Sequence, residues 1–349
     1  MAGSGITGWF EDVTLRDRAE VGGKGGSLGE LTRAGIAVPP GFVIRTAAFE
    51  AFLRAVERQT PVRARVESLR AGDLASIQAA SEELRARWRE TPFPDAMVAE
   101  LRAAREALCA RAAGSEVAVR SSATTEDASD ASFAGLQDTY LWVADAERML
   151  DRVRDCWSSL YSVESISYRR DRGIAEEAVA MAVVVQSMVE ARTAGVMFTR
   201  SPTTGDRSVI TIEGAWGLGS SVVGGEVTPD RWVLGKITGE ISVREISDKQ
   251  IEHRRARGGG VEAAAVENER RRAACVSDAE LEQLRQIGRQ VERHYGAAQD
   301  IEWAIDAHGH LLLLQSRPET VWSSKDAAPA AQTAADPLSH VMSIFGGRR

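Results

Sequence analysis

Stretches of apolar and polar positions divide the chain into a helical first part and a strand-rich second part. From about Thr46 to Gly114 the sequence is rich in Ala, Glu, Arg and Leu, with one break at Thr-Pro-Phe-Pro-Asp. This pattern predicts helices, and another helical stretch is predicted from Asp145 to Asp171. From Ala178 onward, apolar runs of strand length alternate with turns that contain Gly or Pro, which predicts β-strands.

The second part predicts four strands, at residues 178–186, 193–199, 208–213 and 230–235. Residues 252–265 combine charges with three glycines, and we expect them to form a mobile surface loop. The predicted fold class is therefore α/β (α+β) with mixed, largely antiparallel sheets, and not a doubly wound fold.

A helix with clear end signals is predicted after Ser277. Ser277 can cap its first turn, Glu280 can reach back to complete a capping box, and Gly296 can end it. One face carries an apolar stripe formed by Leu281, Leu284, Ile287 and Val291. This stripe predicts that the helix packs against a core on one side only.

Composition narrows the class of protein but does not identify it. Hydrophobic residues make up 44% of the chain, and no apolar stretch approaches the roughly 20 residues of a membrane span. Three scattered cysteines without CxxC spacing suggest reduced thiols and argue against a structural zinc site. A net charge of −7 argues against a general nucleic-acid binder. We expect a cytoplasmic protein whose partners are neither membranes nor nucleic acids.

A glycine-rich segment, Val-Gly-Gly-Lys-Gly-Gly-Ser at residues 21–27, is predicted to be a loop. It is not a Walker A loop, because Lys24 is followed by glycine and not by Ser or Thr. Small residues around Lys24 would let backbone N–H groups and one ammonium approach a phosphate. The alternative is a surface turn with a solvated lysine.

A short apolar strand at residues 117–119 leads into a polar run over residues 120–139. A run so rich in Ser, Thr, Asp and Gly is not expected to pack in a core, so it predicts an ordered loop or tight hairpin. Arg120 begins this run and could hold a phosphate through two hydrogen bonds. Alternatively, Arg120 could pair with a nearby carboxylate such as Glu126 or Asp127.

The best candidate site lies in a predicted hairpin at residues 300–317. If its turn comprises residues 307–310, Asp306 pairs with Leu311, and Glu302 lies directly opposite Gln315 on the face away from the tryptophan. Arg317 would project from the same face. Carboxylate and amide oxygens suit Mg²⁺, and an arginine can stabilise a transferring phosphoryl group. The alternative is an edge with a polar outer face, and a different turn length would break the register.

The five histidines show no catalytic setting. They are His253, His294, His308, His310 and His340, and we expect surface positions for all of them. No pairing of serine, histidine and carboxylate, or of cysteine and histidine, is evident in the sequence.

Five segments, read together, resemble a known family of ATP-binding domains. They are residues 21–44, 117–141, 183–206, 215–234 and 300–321. In this order they are similar to the N-terminal ATP-binding domain of the phosphoenolpyruvate synthase, pyruvate phosphate dikinase and rifampicin phosphotransferase family. The resemblance covers roughly residues 10–322.

The resemblance implies a two-lobed ATP-grasp fold. Residues 10–185 would form the N-terminal lobe, residues 186–322 the C-terminal lobe after a hinge, and residues 323–349 a linker and tail. ATP and Mg²⁺ are the cofactors that the resemblance implies.

The resemblance also implies roles for individual residues. Those assigned to nucleotide binding are Lys24, Arg120, Gly135, Gln137, Thr139, Gln186, Met188, Val189, Glu302, Gln315 and Arg317. Glu302 and Gln315 match the metal ligands, and Arg317, with Glu302 and Arg120, is assigned to catalysis. The backbone from Ser187 to Val189 would meet the edge of the adenine ring.

In this family the β-phosphoryl group of ATP passes to a histidine on a separate swivelling domain, and AMP is released. The present sequence contains no segment that resembles that histidine site and no acceptor domain. We therefore expect a separate partner subunit that carries both. The tail sequence favours a complete subunit over an excised domain, and the split arrangement resembles phenylphosphate synthase.

Three other hypotheses stay open from the sequence. The chain could be an excised or stand-alone ATP-binding domain of a phosphoenolpyruvate synthase or rifampicin phosphotransferase. It could be a regulatory module that closes on ATP without turnover, although a retained Arg317 argues against this. It could also be an ATP-grasp ligase that makes acyl phosphates, which the polar block at residues 120–135 disfavours.

Overall fold

A computed structural model describes residues 5–112, 114–124, 138–319 and 322. Its strands form two larger sheets and one separate hairpin. The elements up to the hinge are β1 Thr7–Trp9, α1 Arg18–Arg33, β2 Gly41–Ile44, α2 Thr46–Glu57, α3 Val62–Glu67, α4 Leu74–Glu90, α5 Asp95–Arg111, β3 Val117–Ala123, β4 Thr139–Val143, α6 Ala146–Ser159, α7 Val163–Arg172 and β5 Met181–Ser187.

The first sheet has five strands in the order β1-β2-β5-β3-β4, and its ladders are antiparallel. Helices α2 to α7 supply most of its core. That core contains a cluster of aromatic side chains: Phe49 stacks on Trp88 at a centroid distance of 5.6 Å, and Phe52 packs against Trp157 at 5.7 Å. The helical pattern predicted after Thr46 and its break before Asp95 are confirmed.

The second part of the chain contains β6 Ala191–Phe198, β7 Val209–Trp216, α8 Ser220–Val223, β8 Asp230–Gly235, β9 Ile241–Glu245, β10 Ile251–Arg255, β11 Val261–Ala265, α9 Asn268–Arg271, α10 Asp278–Tyr295, β12 Gln299–Asp306 and β13 Leu311–Pro318. Six of these strands form an antiparallel sheet in the order β13-β12-β6-β7-β8-β9. Trp232 and Trp303 are fully buried between this sheet and α10.

The predicted fold class is confirmed. Two antiparallel sheets, each with covering helices, form the first and the second lobe of an α/β (α+β) fold. The predicted capping box at Ser277 and Glu280 is present, and Gly296 ends α10 in the left-handed conformation. No helix in the ranges that the structure describes is long and apolar enough to cross a membrane.

The glycine-rich segment is a buried helix, so the predicted loop is wrong. It lies within α1, which is kinked at Gly22, where φ is +70°. Glycine has a low helix propensity, but tertiary packing outweighs it here, because only glycine lets the neighbouring backbone lie so close to the helix. A Cβ at Gly29 would lie 2.2 Å from the Val13 carbonyl oxygen, and one at Gly22 would lie 2.2 Å from that of Ser122. Side chains at these positions would exclude the contacts that build the lobe.

The polar run after residue 119 also behaves differently from the prediction. Strand β3 continues through Ala123, and Ser121 and Ser122 are fully buried. The Ser122 hydroxyl donates to the Val21 carbonyl at 2.9 Å and accepts from the Gly25 N–H at 3.1 Å. These hydroxyls can enter the core because the kinked helix leaves backbone groups that need partners.

Residues 252–265 are mostly a regular hairpin, not the mobile loop that their composition predicts. Strands β10 and β11 pair from Ile251 opposite Ala265 to Arg255 opposite Val261. The guanidinium of Arg255 hydrogen-bonds Glu116 and lies 5.3 Å from the Trp142 ring centroid, so the hairpin reaches the first lobe.

Candidate active site

A cavity of about 530 Å³ lies between the two sheets. On one side it is lined by β3, β4 and the end of β5. On the other side it is lined by β6, α8, β12 and β13. Its walls are largely apolar at the hinge end and carry Arg120 and Glu302 further along. An apolar cleft with a few convergent polar groups is the usual form of a small-molecule site.

Gln186 lies at the hinge end of this cavity, at the position predicted for nucleotide recognition. Its side chain is buried, and its Nε2 donates to the Pro39 carbonyl at 3.2 Å. This bond fixes the amide plane against the paired prolines that precede β2. Gln186 therefore stabilises the shape of the hinge as well as lining the cavity.

The hinge backbone limits how an adenine could be recognised. The N–H of Ser187 donates to the Pro40 carbonyl at 2.9 Å, and that of Met188 donates to the Glu116 carbonyl at 3.1 Å. Among the described residues the Val189 N–H has no such partner. Since Met188 and Val189 both line the cavity, the hinge donor available to a ligand is the Val189 N–H.

Arg120 connects the two lobes at the far end of the cavity. Its Nη2 donates to Glu302 Oε2 at 2.9 Å and to Gln315 Oε1 at 2.8 Å, and its Nη1 donates to the Leu314 carbonyl at 2.8 Å. The guanidinium is buried, and its Nε has no hydrogen-bond partner within the described ranges. The sequence analysis left open whether Arg120 contacts a phosphate or a carboxylate close to it in sequence. A carboxylate partner is present, but it is Glu302 of the second lobe.

The hairpin of β12 and β13 reaches the predicted register by an unpredicted route. The predicted pairing of Asp306 with Leu311 is wrong, because Leu311 lies opposite the residue before Asp306. A β-bulge between Glu302 and Trp303 then inserts one residue, Leu314, and restores Glu302 to its place opposite Gln315. The bulge also directs the Leu314 carbonyl at Arg120, which matches the tendency of bulges to lie beside active sites.

Glu302 and Gln315 fit the requirements of a Mg²⁺ site. Both side-chain oxygens accept from the same arginine nitrogen, so two hard oxygen donors already converge on one cationic atom. Mg²⁺ prefers such ligands and commonly takes only one or two from the protein beside substrate phosphates. In the described part of the chain, no cluster of three His, Cys, Asp or Glu side chains offers another site.

Arg317 lies two residues beyond Gln315 but does not line the cavity. It forms an ion pair with Asp300, with Nη2 2.7 Å from Oδ2, and its side chain is half-exposed. Burial raises the pKa of Asp300, and the positive charge of Arg317 opposes that shift. The structure therefore places Arg317 on the predicted face, held at the edge of the site by a carboxylate that the sequence prediction missed.

Lys24 and Thr139 complete the described candidates. Lys24 is buried in α1, and its ammonium donates to the carbonyl of Ser121, the residue after Arg120, at 3.0 Å. Lys24 itself is not among the residues that line the cavity. Thr139 begins β4, pairs with Arg120 and lines the cavity. Gly135 and Gln137 lie outside the described residues.

Several cavity residues were not predicted. Asp138 lines the cavity, and burial raises its pKa while a hydrogen bond from Tyr140 opposes the shift. The turn after β7 also lines the cavity through Gly219 and Ser220. Its run of small residues was the available signal, but such a run also fits an ordinary turn.

His253 is a correction to the sequence analysis. It is buried in β10, and its ring hydrogen-bonds Ser220 and Glu226. The chain thus contains a serine–histidine–carboxylate grouping, because an isolated bridge between Gly217 and His253 brings together residues more than 25 positions apart. The described remaining histidines, His294, His308 and His310, are exposed as expected.

Comparison with known families identifies the family of the chain. The family model of the pyruvate phosphate dikinase AMP/ATP-binding domain matches residues 18–337, which includes both lobes. The chain belongs to the pyruvate phosphate dikinase AMP/ATP-binding domain family. The resemblance expected from the five segments is thereby confirmed.

Two relatives show how far the likeness extends. The chain is 42% identical over 314 residues to a probable phosphoenolpyruvate synthase of Methanothermobacter thermautotrophicus, which covers 89% of this chain and 46% of the relative. It is 40% identical over 312 residues to a rifampicin phosphotransferase of a Streptomyces species, covering 89% of this chain and 35% of the relative. The chain spans less than half the length of these two relatives.

Solved structures add little to this assignment. A D-cycloserine synthetase aligns with 87% of this chain and 63% of its own at 10% identity, with a TM-score of 0.25. Such a low score supports no functional comparison.

Proposed function

We propose that the cleft binds ATP with Mg²⁺ and that the chain passes the β-phosphoryl group to a histidine on a partner subunit, releasing AMP, while water takes the γ-phosphoryl group as inorganic phosphate. The observation that carries this proposal is the convergence of Arg120, Glu302 and Gln315 at one end of an interlobe cavity. The family of the chain supports ATP as the nucleotide.

The residues divide the work between the two lobes. Adenine would lie at the hinge against the Val189 N–H, and the triphosphate would extend towards Arg120 and Lys24. Glu302 and Gln315 would hold Mg²⁺, which neutralises phosphate charge when bound. Arg317 would leave or share its contact with Asp300 and stabilise the charge on the transferring group.

The histidine and the final acceptor lie outside these two lobes in this proposal. A partner subunit that carries both fits the sequence expectation, and phenol is the acceptor if the protein resembles phenylphosphate synthase. The same cleft would serve equally as the ATP-binding domain of a phosphoenolpyruvate synthase or a rifampicin phosphotransferase, and the names of the relatives favour these alternatives.

The test uses ATP that carries radioactive phosphorus in its β-phosphate. The chain is incubated with this ATP and Mg²⁺, with and without the histidine-bearing domain of a relative. Label on the histidine domain together with AMP release supports the proposal. ATP binding without AMP in every pairing supports a regulatory module. Labelled ADP together with an unlabelled acyl phosphate supports a ligase, because a ligase transfers the γ-phosphoryl group and leaves the labelled β-phosphate in ADP.

A further inference from the structure

His253 holds the turn that covers the middle of the cleft. The residue is only 8% exposed, its Nδ1 lies 2.8 Å from Ser220 Oγ, and its Nε2 lies 3.3 Å from Glu226 Oε2. One imidazole ring therefore bonds the first residue of the short helix α8 and a residue just after it. The proposed function gives no role to this grouping.

The backbone contacts show that the turn and β10 are built for each other. The Leu218 N–H donates to the His253 carbonyl at 2.8 Å. Gly217 has φ +74°, and a Cβ there would lie 2.3 Å from the same carbonyl oxygen. Glycine is thus required for the approach, and the His253 ring is held in a fixed position relative to Ser220.

The strand registers place Ser220 between the two ends of the cavity. Along β6, Ala191 adjoins the hinge, and Val196 lies opposite Glu302. Ala194 lies about midway between Ala191 and Val196, and Gly219 packs over it. A Cβ added to Gly219 would lie 3.6 Å from the Ala194 Cβ. Ser220 follows and lines the cavity. In a nucleotide with adenine at the hinge and phosphates at Glu302, this midpoint is the ribose.

With Glu226 ionised and the His253 ring neutral, the hydrogen-bond chain sets the direction in which the Ser220 hydroxyl acts. An ionised Glu226 carboxylate only accepts, so the Nε2 of a neutral His253 carries the ring proton. Its Nδ1 is then an acceptor, and the Ser220 hydroxyl must donate to it. The hydroxyl proton of Ser220 is committed to His253, so towards a ligand the Ser220 oxygen can only accept, through its lone pairs.

We propose that Ser220 accepts a hydrogen bond from a ribose hydroxyl of the bound nucleotide, and that His253 is the positioning residue that sets this polarity. This inference rests on the proposed function, because it assumes that the cleft binds a nucleoside triphosphate. It assigns the selection of ribonucleotides over deoxyribonucleotides to Ser220.

The test compares the affinities of ATP, 2′-deoxy-ATP and 3′-deoxy-ATP by calorimetry. The wild-type protein should bind one deoxy analogue about 3- to 10-fold more weakly than ATP, the loss expected for one neutral hydrogen bond. Ser220→Ala should bind that analogue and ATP equally. The analogue that discriminates identifies the hydroxyl that Ser220 contacts.

Variants at His253 separate positioning from general support of the fold. His253→Ala frees the Ser220 hydroxyl to rotate. The ratio of the affinity for ATP to that for the discriminating deoxy analogue should therefore fall towards 1, even where the affinity for both nucleotides changes. Ser221→Ala is the matched control, because the Ser221 hydroxyl bonds the Leu218 carbonyl within its own turn at 3.2 Å. It should keep the wild-type preference, and Ser220→Thr, which keeps a hydroxyl, should retain part of it.

Each outcome has a distinct meaning. Equal binding of ATP and both analogues by the wild type, or an unchanged preference in Ser220→Ala, overturns the inference while leaving nucleotide binding intact. A His253→Ala variant that weakens all three nucleotides by the same factor assigns His253 to structure alone and overturns its positioning role. Failure of the wild type to bind ATP at all contradicts the proposed function itself.

Discussion

Arg120 in β3 and Glu302 in β12 form an ion pair at 2.9 Å across the cleft, and this contact joins the two lobes at the end of the cavity. The Arg120 side chain is 8% exposed, so solvent screens the pair on one side only. Gln315 and the Leu314 carbonyl share the same guanidinium. An arginine surrounded in this way has a defined orientation before any ligand arrives.

Arg120→Ala should weaken ATP binding by about 10- to 100-fold, because hydrogen bonds to a charged group are lost and Glu302 stays without its partner. The ATP affinity of Arg120→Lys should lie between those of the wild type and Arg120→Ala, since an ammonium cannot reproduce the forked geometry of the guanidinium. Calorimetric titration with ATP measures both. Arg244→Ala is the control, because Arg244 pairs with Asp278 on the exposed surface; equal losses in Arg244→Ala and Arg120→Ala would contradict the assignment.

Arg317→Ala should reduce phosphoryl transfer by about 10²- to 10³-fold while changing ATP affinity much less. The reason is that Arg317 is half-exposed beside the cavity and held by Asp300, so it is not a contact of the ground state. AMP release in the presence of a histidine domain gives the rate, and titration gives the affinity. Equal losses in rate and affinity would make Arg317 a binding residue.

Tyr295 gives a prediction about alkaline pH. Burial raises the pKa of Tyr295 from 10.0 to about 12, and its hydroxyl donates to the Ser27 carbonyl at 3.2 Å, which ties α10 to α1. The folded protein therefore keeps a proton that the unfolded chain releases above pH 10. This contribution to stability is complete below pH 10.0 and is lost as the pH rises towards 12.

Tyr295→Phe should remove that alkaline slope and lower stability near neutral pH by about 1 kcal/mol, the usual net value of one hydrogen bond. Thermal unfolding between neutral and alkaline pH, followed by circular dichroism, measures both effects. The same slope in wild type and variant would show that another group is responsible.

Gly29→Ala should destabilise the protein by about 2 kcal/mol or more, although alanine normally favours helices. The added Cβ would lie 2.2 Å from the Val13 carbonyl oxygen, a backbone atom that cannot move aside cheaply. Gly258→Ala is the matched control, since a Cβ there meets nothing within 4 Å. Chemical denaturation should separate the two variants clearly; similar midpoints would contradict the packing described for α1.

The sequence predicted those parts of the fold in which local pattern and tertiary packing agree. Helix α10 follows its caps and stripe, and Glu302 lies opposite Gln315 as alternation requires. The details of that pairing were not predictable. Leu311 lies opposite Ile305, one residue before the predicted partner, and a bulge at Leu314 compensates for this shift. Bulges depend on contacts with other elements, here on Arg120.

The predictions failed where distant chain segments supply partners. Glycine occupies position 29 of the helix because the Val13 carbonyl leaves no room for a side chain. Ser122 is buried because α1 offers its hydroxyl a carbonyl and an N–H. His253 was expected at the surface, since nothing near it in sequence indicates Ser220 or Glu226. Burial of polar groups is decided by such long-range hydrogen bonds and is not visible in composition.

The most direct test of the site is the effect of Mg²⁺ on ATP affinity in the wild type and in Glu302→Gln. If Glu302 and Gln315 hold the metal at the phosphate end of the cleft, Mg²⁺ should strengthen ATP binding to the wild type. In Glu302→Gln most of that gain should disappear, while binding of ATP without Mg²⁺ should change little. An equal gain from Mg²⁺ in both proteins, or no binding of ATP by the wild type, would contradict this assignment of the cleft.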